Sequence, residues 1–270
     1  MLTTNSYKKM EFQIKTMAEY AAEGKMPEVL FFVGCAGSFD DRAKKITKAL
    51  CKILHKVGVE FAVLGQEESC NGDPAKRAGN EFIYQMMAFT NIEIMNGYGI
   101  KKIVTACPHC FNIIGNEYPE LGGNYEVMHH TQFLKKLMEE GRLKIEGGSF
   151  SGKKITFHDP CYLGRGNGEY EAPRDLLKKL DAELVEMKRC KSNALCCGAG
   201  GAQMFKEPEK GNKDINVERT EEALEEKPDI IATGCPFCMT MMTDGVKHFN
   251  RTDNVAVKDI AELLAEAEDL

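Results

Sequence analysis

Apolar residues in this chain fall into short runs separated by stretches with helical spacing. Val29-Leu-Phe-Phe-Val33, Val59 to Leu64, Ile103-Val-Thr105 and Tyr125 to Met128 are short and rich in β-branched and aromatic residues, which predicts strands. Between them Ile46, Leu50, Ile53, Leu54 and Val57 recur at the spacing of one helix face, and Arg77 to Met95 has the same character. The second half repeats the alternation. Its strands are expected at Ile155-Thr-Phe157, Leu184 to Met187, Ile230-Ile-Ala232 and Val255-Ala-Val257, and its helices near Pro173 to Leu180 and Thr220 to Glu226. Strand alternating with helix predicts an α/β fold with a mainly parallel sheet. The Gly-rich, charged stretch Glu139 to Lys154, with Gly147, Gly148 and Gly152, reads as a linker. The expected division is an N-terminal arm or leader helix over 1–26, a first domain over 27–145 and a second over 146–270. A length of 270 residues also suits two domains.

The cysteines turn this alternation into a duplication. Cys35 and Cys161 are 126 residues apart, as are Cys70 and Cys196, while Cys107 and Cys235, like Cys110 and Cys238, are 128 apart. The flanks agree: Ile103-Val-Thr-Ala-Cys-Pro-His-Cys110 matches Ile231-Ala-Thr-Gly-Cys-Pro-Phe-Cys238. A period this long suits tandem, duplicated α/β domains rather than a solenoid. Cys35, Cys107, Cys161 and Cys235 come just after predicted strands, and Cys70 and Cys196 lie in the loops after Leu64 and Met187. Ligands of open α/β sheets bind at the carboxyl ends of the strands, so each half is expected to gather its cysteines at one sheet edge.

Composition narrows the chemistry. A formal charge of −6 leaves no basic excess for a phosphate backbone, which argues against nucleic acid as a partner. Apolar runs such as Val29 to Val33 fall far short of the roughly 20 residues that span a bilayer. Met1 to Met26 carries Lys8, Lys9 and Lys15 without an apolar core and cleavage site, so no secretory signal is read and a cytoplasmic location is expected. Eleven cysteines in that reducing setting point to metal or redox chemistry instead of disulfides.

The second half offers five thiols, Cys161, Cys196, Cys197, Cys235 and Cys238. The first offers four, Cys35, Cys70, Cys107 and Cys110, with Asn71 where the repeat calls for the partner of Cys197. Cys51 and Cys190 read as ordinary core or surface thiols. Four thiolates suit zinc or an iron–sulfur cluster. Structural zinc usually takes two short Cys-x-x-Cys hooks, whereas each half here has one hook and two remote cysteines, and zinc has no use for a fifth thiolate. Adjacent Cys196 and Cys197 reach different irons of a cluster more readily than one small ion. Iron–sulfur is therefore the leading reading, a zinc-stabilised binding module its rival, and a degenerate structural copy the alternative for the first half.

Other motifs are secondary. Gly164-Arg-Gly-Asn-Gly168 and Gly198-Ala-Gly-Gly201 adjoin cysteines, so they are read as close backbone approach with N–H groups donating to sulfur, in preference to a nucleotide loop. His109 and His158 are read first as hydrogen-bonded packing residues, with proton relay or tuning of a potential as the functional alternative. His129 and His130 read as structural. Arg165 is a candidate positive charge near a cluster. Met204, Met239, Met241 and Met242 are expected as soft filler around the second site. The acidic stretch Glu262 to Asp269 is expected to be a solvated helix face.

The pattern Cys161-x34-Cys196-Cys197-Gly198-x36-Cys235-Pro-x-Cys238 resembles the Cys-Cys-Gly domain, which occurs duplicated in the B-type and D-type chains of heterodisulfide reductase and in the iron–sulfur subunits of glycolate and lactate oxidation complexes. The likeness runs from about Val29 to Leu264. It implies a non-cubane [4Fe-4S] cluster on the five second-half cysteines. With Asn71 breaking the motif, an ordinary cubane [4Fe-4S] cluster or none is implied for the first half. It further implies an electron-transfer subunit of an oxidoreductase, working between a flavoprotein or ferredoxin-type partner and a quinone or disulfide acceptor. No cysteine precedes Cys35, so the ferredoxin-like module of such relatives is expected on another polypeptide, as is the flavin. Relatives dock onto membrane complexes, which makes a peripheral place on the inner membrane face part of the same expectation. The rival activity is disulfide reduction at the second cluster. No catalytic residue is assigned from the sequence.

Overall fold

Among the described residues, eight short strands form where the apolar runs stand, four in each half. The computed structural model describes residues 12–146, 148–207 and 210–270. The expected N-terminal arm thus lies outside the described residues as far as residue 11, and Gly147 of the predicted linker lies outside them too. Beyond residue 11 the arm contains one short helix, Met17–Ala22, whose N-cap Thr16 and Glu19 close a capping box.

In the first half β1 (Val29–Phe31), β2 (Phe61–Ala62), β3 (Lys102–Thr105) and β4 (Glu126–His129) make one parallel sheet in the order β2-β1-β3-β4. In the second, β5 (Lys154–Phe157), β6 (Glu183–Val185), β7 (Ile230–Thr233) and β8 (Ala256–Asp259) repeat it as β6-β5-β7-β8. The central strands are largely buried, and mostly apolar, because helices cover both faces of such a sheet. Leu30, Phe31, Ile103 and Val104 are buried in the first half, Ile155, Phe157, Ile231 and Ala232 in the second. Each large apolar side chain so buried contributes about 1.5–3 kcal/mol relative to exposure.

The predicted helices form with altered ends. Ala43–Lys56 buries Ile46, Leu50, Cys51, Ile53 and Leu54. The single pattern read over Arg77 to Met95 is two helices, Asp73–Arg77 and Glu81–Gly97. Gly79, at φ +86°, reverses the chain between them, and the Asn80 side chain accepts from the N–H of Ile83 to start the second. Of the acidic C-terminal stretch, Glu266 on the helix Ile260–Ala267 and Asp269 beyond it are exposed. Glu262 and Glu268 are half-buried, and the helix is mostly packed inward through Ala261, Leu263, Leu264 and Ala265, so it is not the solvated face expected.

Contacts divide the chain into two compact units between His130 and Thr131. The helix His130–Glu139, which follows β4 directly, thereby falls almost wholly in the second unit, where Lys135 pairs with Asp175 at 2.6 Å and Gln132 donates to Glu169. Of the stretch read as a linker, Leu143 and Phe150 are buried. Between β6 and the helix Ile215–Glu225 the described residues form only two 3₁₀ turns, Lys191–Asn193 and Gln203–Phe205.

Strand order locates the site. In each sheet the chain runs from one central strand to one side and from the other central strand to the opposite side. The gap between β1 and β3, and that between β5 and β7, is therefore a topological switch point. Cys35 and Cys107 follow β1 and β3, and Cys161 and Cys235 follow β5 and β7. No helix among the described residues is long and apolar enough to cross a membrane.

Candidate metal centres

In both units the Cys-Pro-x-Cys hook is a helix start. Cys107 and Cys235 are the N-cap residues of Pro108–Asn112 and Pro236–His248, with proline at the first position, where its missing N–H costs nothing. Cys110 and Cys238 then sit in the first turn, buried, with the hook's other thiol beside them.

In the second unit all five predicted cysteines come together. Cys161 and Cys196 are hydrogen-bonded, as are Cys196 and Cys197. The Cys197 Sγ lies 3.3 Å from that of Cys238, which also contacts Cys235. The sulfurs thus form one continuous chain. Gly198 completes the turn at φ +92° and its N–H donates to the Cys196 Sγ at 3.3 Å, the donation expected of this glycine.

The first unit makes two thiol pairs, Cys35 with Cys70 and Cys107 with Cys110. Asn71 takes over the place of Cys197: its Nδ2 donates to the Cys110 Sγ at 2.8 Å, while its Oδ1 accepts from the N–H of Asp73. Gly72 repeats the turn of Gly198 at φ +88°. The backbone also approaches sulfur at Gly34, φ +77°, where an added Cβ would lie 3.0 Å from the Cys110 Sγ. Glu68 fixes this loop by accepting from the N–H groups of Val33 and Gly34, and burial lifts its pKa to about 7.

Within each site, neighbouring thiols oppose one another's ionisation. Donation from Cys35 lowers Cys70 to about 7, while Cys35 itself is pushed up. Donation from Cys161 and then Cys197 lowers Cys196, while Cys161 and Cys238 are raised and Cys197 goes to about 12. So many adjacent thiols can all ionise only around a positive centre, so the donor set fits a metal or a metal cluster.

Charged residues that the sequence reading missed hold the second site. The bidentate pair of Arg174 with Asp159 (2.8 and 2.9 Å) is buried, and Arg174 reaches Glu186 as well. Asp159 also accepts from the N–H of Lys191, tying the loop of Cys161 to the loop that leads to Cys196. His158, fully buried, accepts at Nδ1 from the Nε–H of Arg219 at 3.0 Å. A ring nitrogen of His158 lies within 4.8 Å of the sulfurs of Cys197 and Cys238. Burial and then the positive Arg219 lower its pKa to about 3. The signal available was local: Arg219 and Glu222 stand three residues apart on the inward face of Ile215–Glu225.

The remaining expectations divide. His109 is buried and bonded to Asp73 at 2.8 Å, within an ionic array of Asp73, Arg77 and Glu117. His129 and His130 are wholly buried, Cys51 is core, and Cys190 is half-buried. Met204 and Met241 pack on the second thiol cluster, but Met242 packs under the sheet with Ile231 and Val246. Met239 is buried on the hook helix. Arg165 is exposed and donates to the Ala194 carbonyl. Gly164 and Gly166 answer to their own turn: an added Cβ would strike the Tyr170 ring at 2.5 Å and the Tyr162 carbonyl at 2.9 Å.

The sequence matches the family described as "Cysteine-rich domain" twice, over residues 29–115 and 155–243. It is 47% identical to the EtfAB:quinone oxidoreductase of Syntrophomonas wolfei, over 91% of this chain and 35% of that protein. It is 46% identical to the probable iron-sulfur-binding oxidoreductase FadF of Bacillus subtilis, over 94% and 36%. With the D-type chain of the dihydromethanophenazine:CoB--CoM heterodisulfide reductase of Methanosarcina barkeri the identity is 36%, over 89% and 59%. The chain thus spans between 35% and 59% of the length of these relatives. Among solved structures, a hypothetical protein from Helicobacter pylori has the same kind of fold, with a TM-score of 0.57 at 8% identity over 90% of this chain and 49% of that one.

Proposed function

This chain belongs to the cysteine-rich domain family, and on that premise we propose that it is the iron–sulfur electron-transfer part of an oxidoreductase. Cys161, Cys196, Cys197, Cys235 and Cys238 hold a non-cubane [4Fe-4S] cluster, and Cys35, Cys70, Cys107 and Cys110 hold a cubane one. The observation that carries the reading is the unbroken chain of five sulfurs at the switch point of the second sheet. A bound cluster supplies one-electron chemistry. The protein's own part is to supply thiolates, donate N–H groups to sulfur and keep Cys197, Cys235 and Cys238 away from water.

The chain takes electrons from a flavoprotein or a ferredoxin-type partner and delivers them to a quinone or a disulfide. Two relatives support those ends by name, one a quinone oxidoreductase of an electron-transfer flavoprotein, the other part of a heterodisulfide reductase. A lipid-dwelling quinone acceptor would place the chain peripherally at a membrane. Because the second site keeps all five thiols, disulfide reduction there is the second reading. Trapping a thiolate-bound cluster state with a candidate disulfide separates the two.

The test is iron, acid-labile sulfide and zinc per chain after oxygen-free purification. About eight irons with matching sulfide are expected for two loaded sites. About four would make the Asn71 unit a scaffold, and zinc without sulfide would overturn the redox reading.

A further inference from the structure

The hydrogen on the His158 ring can be placed from its surroundings. An arginine carries donors and no acceptor, so the bond from the Arg219 Nε–H requires His158 Nδ1 to be bare. A neutral imidazole with a bare Nδ1 carries its hydrogen on Nε2. That nitrogen is buried and has no hydrogen-bond partner among the described residues. A ring nitrogen of His158 lies within 4.8 Å of the sulfurs of Cys197 and Cys238.

The arrangement is held from behind. Arg219 is wholly buried, and its Nη1 donates to the Arg189 carbonyl at 2.8 Å and to Glu222 at 2.9 Å. Glu222 in turn accepts from the backbone N–H and the Nε–H of Arg189. The N–H of His158 donates to the Ala232 carbonyl, which ties its backbone to the end of β7. The ring is thereby fixed in both position and tautomer.

We propose that His158 offers its Nε2 hydrogen to sulfur of the cluster held beside it at Cys197 and Cys238 and so tunes, without ligating, the cluster of the second unit. The inference rests on the iron–sulfur reading above. An N–H donated to thiolate or sulfide favours the more electron-rich state, so His158 raises the reduction potential of this cluster. The repeat supplies the contrast: 126 residues earlier stands Phe32, fully buried, which offers no donor.

The experiment uses the full chain, cluster-loaded, with iron and sulfide counted first. His158→Phe installs the residue the first unit carries at this place. It is expected to keep the iron and sulfide and to shift the second cluster to a more negative potential. A tenfold fall in the reduced-to-oxidised ratio would read as about 59 mV for one electron. Pulsed magnetic resonance on the reduced protein should show weak nitrogen coupling and an exchangeable proton, both lost in His158→Phe. His158→Gln, which keeps an N–H at similar reach, should recover part of the shift. An unchanged potential in His158→Phe, or nitrogen coupling strong enough for direct ligation, overturns the proposal. If the unmodified chain holds no iron and sulfide, the proposed function falls first and this inference falls with it.

Discussion

The two units share strand order, hook and hinge glycine, yet they complete their sites differently. Where the second unit has Cys197 against Cys238, the first has Asn71 against Cys110, and the amide reproduces the contact of the thiol it stands in for. The Asn71 Oδ1 accepts from the N–H of Asp73, which holds the amide with its Nδ2 turned to the Cys110 sulfur. The hook residue differs too. His109 in the first unit is bound into an ionic array, whereas Phe237 in the second meets the exposed Phe205 ring edge-on at a centroid distance of 6.2 Å. A duplicated scaffold can therefore fix where sulfur gathers while single side chains decide how many ligands it offers.

The largest test of that contrast is Cys197→Ala. Iron in the second unit should be lost or its spectrum changed while the first unit's signal remains. Unchanged iron content and spectrum would sink the five-ligand assignment. Next comes Arg174→Ala, which leaves Asp159 buried and unpaired. A loss of about 3–5 kcal/mol is expected in denaturant unfolding, because the uncompensated charge stays in the interior. A loss under about 1 kcal/mol would mean that Asp159 finds another partner.

The paired glycines sharpen the comparison. Alanine at either Gly72 or Gly198 meets the left-handed backbone penalty of roughly 1–2 kcal/mol. At Gly72 the new Cβ would also lie 2.8 Å from the Tyr84 ring and 3.1 Å from its carbonyl, against contacts of 3.4 Å or more at Gly198. Gly72→Ala should therefore lower the melting temperature more than Gly198→Ala, and the reverse order would contradict the packing. The last test is at Asn71. Asn71→Ala should cost about 1–3 kcal/mol through two lost buried hydrogen bonds while sparing the iron of the first unit. Asn71→Cys should move that unit's spectrum toward the second's, and no spectral change would mean that a fifth thiol alone does not set cluster type.

The strands were legible because a parallel strand covered on both faces reads as an unbroken apolar run, as Val29 to Phe31 and Ile230 to Thr233 do. The thiols were legible because the repeat carries their spacing. What eluded the sequence were partners joined only by folding. Arg219 lies 61 residues from His158, and Arg174 lies 15 from Asp159, with no periodicity to link either pair. The helix Glu81–Gly97 hid its inward face for another reason: Phe82, Met86 and Phe89 are exposed, while Tyr84, Ala88 and Asn91 are buried. Apolar character there does not mark the packed side.

The long irregular path between β6 and the helix Ile215–Glu225 bears on the life of the chain in a cell. That path carries Cys196 and Cys197, and among its described residues only two short turns give it regular form. On the iron–sulfur reading, the cofactor adds a second hold on this path, through Cys196 and Cys197, beyond that of Asp159 on the Lys191 N–H. A chain made during iron starvation would keep the protein contacts alone and be cut there more readily by proteases. The abundance of the protein would then follow the cell's iron supply with no need for a change in transcription.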